Sequence, residues 1–136
     1  MDLGTGTGIL ALAAVKWGAR RVLAVDWNEL AAETASRNVK LNGEMERIEV
    51  KKGKVEDAIR EDADLVCANL HYQVIEGLIH QTAFFEKPWI ILSGLFTKDA
   101  EEIEQLLIQK GFRTSEKYQE KNWLTWVGVN GALIGQ

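Results

Sequence analysis

Asp2-Leu3-Gly4-Thr5-Gly6-Thr7-Gly8-Ile9-Leu10-Ala11 is the stretch on which the fold of this chain turns. Glycines at 4, 6 and 8 let a backbone bend sharply and let a ligand approach with no side chain in the way. Beyond them Ile9, Leu12, Ala13 and Trp17 recur at helical spacing up to Gly18, a helix stop, and Arg21-Val22-Leu23-Ala24-Val25-Asp26 follows as a buried strand. If Leu3 ends a strand, the loop joins that strand to a helix N-terminus, a place that favours anions and polar ligands. Only Met1-Asp2-Leu3 precede the loop, where a strand of about four to six residues is expected, so the first strand is expected to be cut short and an upstream segment to be missing.

The same alternation continues downstream. Asn28 is placed to cap a helix carrying Leu30, Ala31, Ala35 and Val39 as far as Asn42-Gly43. A short strand is expected at 48–51, a polar connection at 54–62, and an apolar strand at 63–68 closing on Asn69. Val74, Ile75, Leu78 and Ile79 mark the face of a further helix that Pro88 breaks, and Trp89-Ile90-Ile91-Leu92-Ser93 reads as a strand buried on both faces. Thr97 is expected to cap a helix with Ala100, Ile103, Leu106 and Leu107 inward, ending at Gly111. Two alternating segments, 112–118 and 123–129, form an antiparallel hairpin across the polar Gln119-Glu120-Lys121-Asn122. Trp123 and Trp126, three apart on one strand, face opposite ways, one toward the core. The expected fold is α/β and Rossmann-like: a mostly parallel sheet with helices on both faces and a C-terminal antiparallel hairpin, residues 1–136 forming a single domain.

Composition narrows the function. The 136 residues are 46% hydrophobic, enough for one core. No run approaches the ~18 apolar residues of a membrane span and no signal peptide opens the chain, so a soluble, cytoplasmic protein with no membrane partner is expected. A net charge of -4 argues against direct nucleic-acid binding by this segment, because that binding rests on Lys and Arg neutralising phosphates. Two histidines, one cysteine and scattered acids have no metal-ligand spacing, so no metal is expected, and Cys67 reads as a structural residue of a buried strand. Oligomeric state is left open.

The chemistry lies in the loop. In a dinucleotide fold the third glycine comes three residues after the second; here Ile9 holds that position and the spacing is G-x-G-x-G. Asp2 is poorly suited to a pyrophosphate but well suited to a ligand carrying an ammonium and a sulfonium. Asp26 follows Gly8 by 18 residues at a strand end, where a carboxylate can accept both hydroxyls of a ribose. The plainer readings are a turn without a ligand and, for Asp26, a role in capping the next helix.

The stretch from Asp2 to Ala11 resembles the cofactor loop of the bacterial methyltransferases that modify ribosomal large-subunit protein eleven. The likeness continues through Ala24-Val25-Asp26, Asn38 with Leu41-Asn42-Gly43, Gly53 and Glu56, Ala68-Asn69-Leu70, Ile91-Leu92-Ser93-Gly94 and Gly111-Phe112. It implies a class I methyltransferase core with a seven-stranded sheet. Asp2 and Gly4, Thr5, Gly6, Thr7 and Gly8 would then hold the methionine part of S-adenosylmethionine, Asp26 the ribose, Lys54-Val55-Glu56 the adenine edge, and Trp27 the adenine face. By the same resemblance Asn69-Leu70-His71-Tyr72 faces the methyl group. Enzymes that methylate planar exocyclic nitrogens carry Asn-Pro-Pro-Tyr there; the missing prolines favour an amine acceptor, with Asn69 as the catalytic residue that accepts its hydrogens and as a cofactor-binding residue too. His71 and Tyr72 are secondary candidates, His80 a surface residue, and Ser93 lacks the His and acid that would make it a nucleophile. The implied substrate is a lysine or amino terminus of a ribosomal protein, chosen by a separate N-terminal domain of the family. Two rival readings are a non-catalytic cofactor-binding remnant or fragment and a fragment of a nicotinamide-dependent oxidoreductase.

Overall fold

The computed structural model describes residues 1–134, which fall into two compact units, one of Met1–Ala58 and one that begins at Ile59. The first contains β1 (Asp2–Leu3), α1 (Ile9–Lys16), β2 (Val22–Asp26), α2 (Glu29–Leu41), β3 (Ile48–Lys52) and α3 (Val55–Ala58). Its strands are parallel: Asp2 and Leu3 pair with Ala24 and Val25, and Val22 to Asp26 pair in register with Ile48 to Lys52. Ala11, Val15, Val22, Ala24, Val39 and Ile48 form the core, with Leu12, Ala14, Ala19 and Val50 against it. The inward face of α1 is thus Ala11 and Val15, and not the face of Ile9 and Trp17, which are 68% and 90% exposed. A helix of eight residues with almost no polar position gives the 3.6-residue period nothing to orient against. Likewise α2 buries Ala32, Ala35 and Val39 and leaves Leu30 exposed.

Capping follows the sequence at α2, where the Asn28 carboxamide oxygen accepts the Ala31 N–H at 3.1 Å and Gly43 takes φ 70° after the last turn. The turn into β3 is fastened by Glu44, a buried acid gripped by Arg47 through two bonds of 2.9 and 2.8 Å and by Lys16 at 3.4 Å. Those hydrogen bonds from Arg47 hold the Glu44 carboxyl below its usual range. The expected polar connection at 54–62 instead contains α3, whose Val55 and Ala58 are buried.

The second unit contains β4 (Leu65–Asn69), α4 (Tyr72–Leu78), a 3-10 turn (Thr82–Glu86), β5 (Trp89–Phe96), α5 (Thr97–Gln109), β6 (Phe112–Glu120) and β7 (Trp123–Asn130). β4 and β5 are parallel, whereas β7 runs antiparallel to both β5 and β6. Among the described residues, seven strands, five of them in parallel pairings and two closing as an antiparallel hairpin, match the expected mixed α/β architecture. Phe84, Phe112 and Trp126 are buried and meet edge-on or tilted with centroids 6.2–6.3 Å apart. Trp126 is 2% exposed and Trp123 50%, as strand alternation requires.

Several expected boundaries shift. Pro88 does not end α4, which stops at Leu78 before the 3-10 turn. β5 runs three residues past Ser93 because β7 continues to pair with it at Leu95 and Phe96. Thr97 opens α5 without capping it; its hydroxyl and its N–H both donate to the Asn122 carbonyl, which ties the helix start to the hairpin turn. Only Lys121 and Asn122 make that turn, and Lys121 adopts φ 54°. Lys87 is buried and its ammonium donates to the Glu61 carbonyl at 2.7 Å. Among the described residues, no helix is long and apolar enough to cross a membrane.

Candidate active site

Gly4, Gly6 and Gly8 have φ of 72°, 56° and 83°, the left-handed region in which a side chain is strained. The loop they make is anchored at both ends. The Val25 carbonyl accepts the N–H groups of Gly4 and Thr5 at 2.8 and 3.0 Å, and the Thr5 carbonyl accepts the Gly8 N–H at 2.9 Å. A Cβ on Gly8 would lie 3.3 Å from Cα and Cβ of Ala35, so glycine also permits the close approach of α2. One turn along α2, the Asn38 amide donates to the Thr7 carbonyl at 2.8 Å. Sequence reasoning gave Asn38 no role; the signal was its place three residues after buried Ala35, on the same face of the helix.

Asp2 lies under this loop at 2% exposure. Its Oδ2 accepts the Thr5 hydroxyl at 2.6 Å and the Ala11 N–H at 3.1 Å, clamping the loop to the first turn of α1. Oδ1 is buried with no hydrogen-bond partner among the described residues. Burial pushes the Asp2 carboxyl up, against the Thr5 and Ala11 hydrogen bonds that pull it down. A bare buried carboxylate oxygen is costly, and a proton or a cationic ligand relieves the cost.

Asp26 ends β2 and is buried. Oδ2 accepts the Gly6 N–H at 2.9 Å and Oδ1 the Asn28 N–H at 3.0 Å, so one carboxylate holds both the glycine loop and the entry to α2. Asn28 itself does the capping, which narrows the plainer reading of Asp26 to fixing the residue before the helix. Each oxygen keeps a second lone pair, so two hydroxyls can still be accepted. Next to it Trp27 is 74% exposed, its indole free of the partial burial that a structural role would give. The Asp26 carbonyl accepts the Gly53 N–H at 2.9 Å just ahead of α3, where Val55 is buried and Glu56 half-buried.

In the second unit, Asn69 is the last residue of β4, exposed, and paired with Ser93 of β5. The Leu70 N–H donates to the Ser93 carbonyl at 3.3 Å and carries the chain off the sheet. His71 precedes α4 without making a side-chain cap and is exposed, as is His80. Tyr72, half-buried, begins α4; burial first, then the charges of Glu102, Glu76 and Asp99, push its phenol up.

The alternating strands and helices, the antiparallel hairpin and the glycine loop define a Rossmann-like fold of the class I methyltransferase kind. A ribosomal protein L11 methylase of Lactobacillus delbrueckii subsp. bulgaricus superposes with a TM-score of 0.85 at 32% identity, covering 95% of this chain and 67% of that one. A putative tRNA methyltransferase of Streptococcus pneumoniae, solved with S-adenosyl-L-methionine, shares the fold at a TM-score of 0.80 and 17% identity, covering 96% of this chain and 64% of that one. Residues 1–130 match the family model of ribosomal protein L11 methyltransferase (PrmA), and the chain belongs to that family. The ribosomal protein L11 methyltransferase of Desulforamulus reducens is 38% identical over 130 residues, and that of Heliobacterium modesticaldum 36% over 138. These alignments cover 94% and 100% of this chain but 42% and 44% of the relatives, so the chain spans about two fifths of their length.

Proposed function

We propose that this chain binds S-adenosylmethionine on the loop from Asp2 to Gly8 and transfers its methyl group to an amine of a ribosomal protein, L11 being the acceptor that its family's name gives. The observation that carries the reading is the buried Oδ1 of Asp2, without a hydrogen-bond partner among the described residues, beneath a glycine loop. An ammonium beside it would supply the missing donor, and glycines 4, 6 and 8 leave main chain, not side chains, to line the methionine part. Asp26 accepts the ribose hydroxyls with its two remaining lone pairs while its bonds to Gly6 and Asn28 hold it still. Trp27 offers an open indole face to the adenine, and Glu56 with the main chain of Val55 meets the adenine edge. The nicotinamide reading loses ground: Ile9 stands where that fold needs glycine, and the family is one of methyltransferases.

When bound, the cofactor supplies a methyl group on a positively charged sulfur that departs as a neutral thioether. The protein's task is then alignment, which is worth about 7–11 kcal/mol at best. Asn69 does this for the acceptor: its carbonyl oxygens accept hydrogens from the incoming nitrogen and turn the lone pair toward the methyl group. Labelled methyl transfer from S-adenosylmethionine to purified L11 tests the proposal. Label on L11 that is lost in Asn69→Ala, with S-adenosylhomocysteine still bound, is the expected result. A chain that binds S-adenosylhomocysteine yet labels nothing would be the cofactor-binding module of the rival reading.

A further inference from the structure

We propose that Gly94 is a positioning residue for Asn69, a role that rests on the reading of Asn69 as the acceptor's partner. The observation is a break in a sheet. β4 and β5 pair without interruption from Leu65 and Trp89 to Asn69 and Ser93, but on its other side β5 loses register with β7 between Leu92 and Leu95. Gly94 sits in that break at φ 79°. A Cβ there would lie 2.7 Å from Oδ1 of Asn69, 2.9 Å from the Leu70 carbonyl oxygen and 3.4 Å from the Leu70 nitrogen.

The two neighbours respond differently to such a Cβ. The Leu70 carbonyl is main chain, and its own N–H is tied to Ser93, so it yields little. The Asn69 carboxamide can swing away, but only by leaving the place it holds. Asn69 is exposed, so no core packing demands that place. What the missing side chain preserves is the direction of one amide at the end of β4. Gly111 shows that a left-handed glycine here need not have such a neighbour: it has φ 98° with nothing within 4 Å of its Cβ position.

Gly94→Ala and Gly111→Ala therefore carry comparable backbone strain, and only the first meets Asn69. The side-chain amide resonance of Asn69 in nitrogen-15-labelled protein is expected to move in Gly94→Ala and to stay in Gly111→Ala. With L11 as acceptor, kcat should fall about a hundredfold in Gly94→Ala while KM for S-adenosylmethionine holds within about twofold. In an Asn69→Ala background the same change should cost no more than about a further twofold, since residues acting through one another are not additive. An unmoved Asn69 resonance, an equal fall in Gly111→Ala, or full additivity would overturn the inference. If Gly94→Ala does not fold and the double variant does, Asn69 is the obstacle, as proposed; if neither folds, Leu70 is the wall and the inference fails. A moved resonance with kcat untouched by Asn69→Ala would instead overturn the reading of Asn69, and the inference with it.

Discussion

Asp2 holds a carboxyl group in which one oxygen accepts hydrogen bonds from Thr5 in the loop and Ala11 in α1, while the other is buried with no partner among the described residues. Its pKa is raised by burial, so the folded chain keeps this proton at pH values where the unfolded chain has released it. Asp2 therefore costs stability as pH rises from the ordinary carboxylate range through the raised value. An ammonium bound beside it favours the carboxylate, so affinity for S-adenosylhomocysteine should increase over the same window with release of a proton. Asp2→Asn keeps an acceptor for Thr5 and Ala11 and carries no titration; it should bind about ten- to a hundredfold more weakly, with that pH dependence gone. Titration calorimetry across pH checks this, and a wild-type affinity flat through the acid range would contradict it. The glycines were legible in the sequence because φ near 70° all but demands them. The ties from Asp26 to Gly6 and from Asn38 to Thr7 were not, because they depend on a loop path that no spacing rule specifies.

At the scale of elements, the hairpin of β6 and β7 is pinned to α5 by a chain of polar contacts. The Trp126 indole donates to the Thr114 hydroxyl at 3.0 Å, which donates to Glu104 at 2.6 Å, and Lys117 meets the same carboxylate at 2.9 Å. The Glu104 carboxyl, although burial raises it, ends below its usual range through the Thr114 and Lys117 bonds. The Trp126 ring lies across Gly128, where a Cβ would come within 1.9 Å of it. Gly128→Ala should thus force the indole off its place and lose about 1–3 kcal/mol of stability, more if the Thr114 bond breaks. A thermal melt checks it; an unchanged midpoint would mean that the strand shifts freely. Elements with two contrasting faces were legible, as Trp126 inward and Trp123 outward attest. Elements without contrast were not: α1 is apolar nearly all round, and α3 is a single turn inside a polar stretch. Thr97 has the chemistry of a cap, but its hydroxyl is taken by the Asn122 carbonyl from 25 residues away.

For the molecule as a whole, the order of strands and helices carried the fold class, because alternating strands and helices leave few topologies open. Matches over residues 1–130 supply the family, and the chain spans about two fifths of its relatives' length. The cofactor is the claim on which the rest depends. The measurement that tests it most directly is calorimetric titration of the chain with S-adenosylhomocysteine, beside NADH and beside Asp26→Ala. Asp26 holds Gly6 and Asn28 as well as the proposed ribose, so its loss should remove both the partner and the shape of the site. The account predicts binding of S-adenosylhomocysteine, none of NADH, and none by the folded Asp26→Ala chain. Binding of NADH, or S-adenosylhomocysteine affinity indifferent to Asp26, would contradict it.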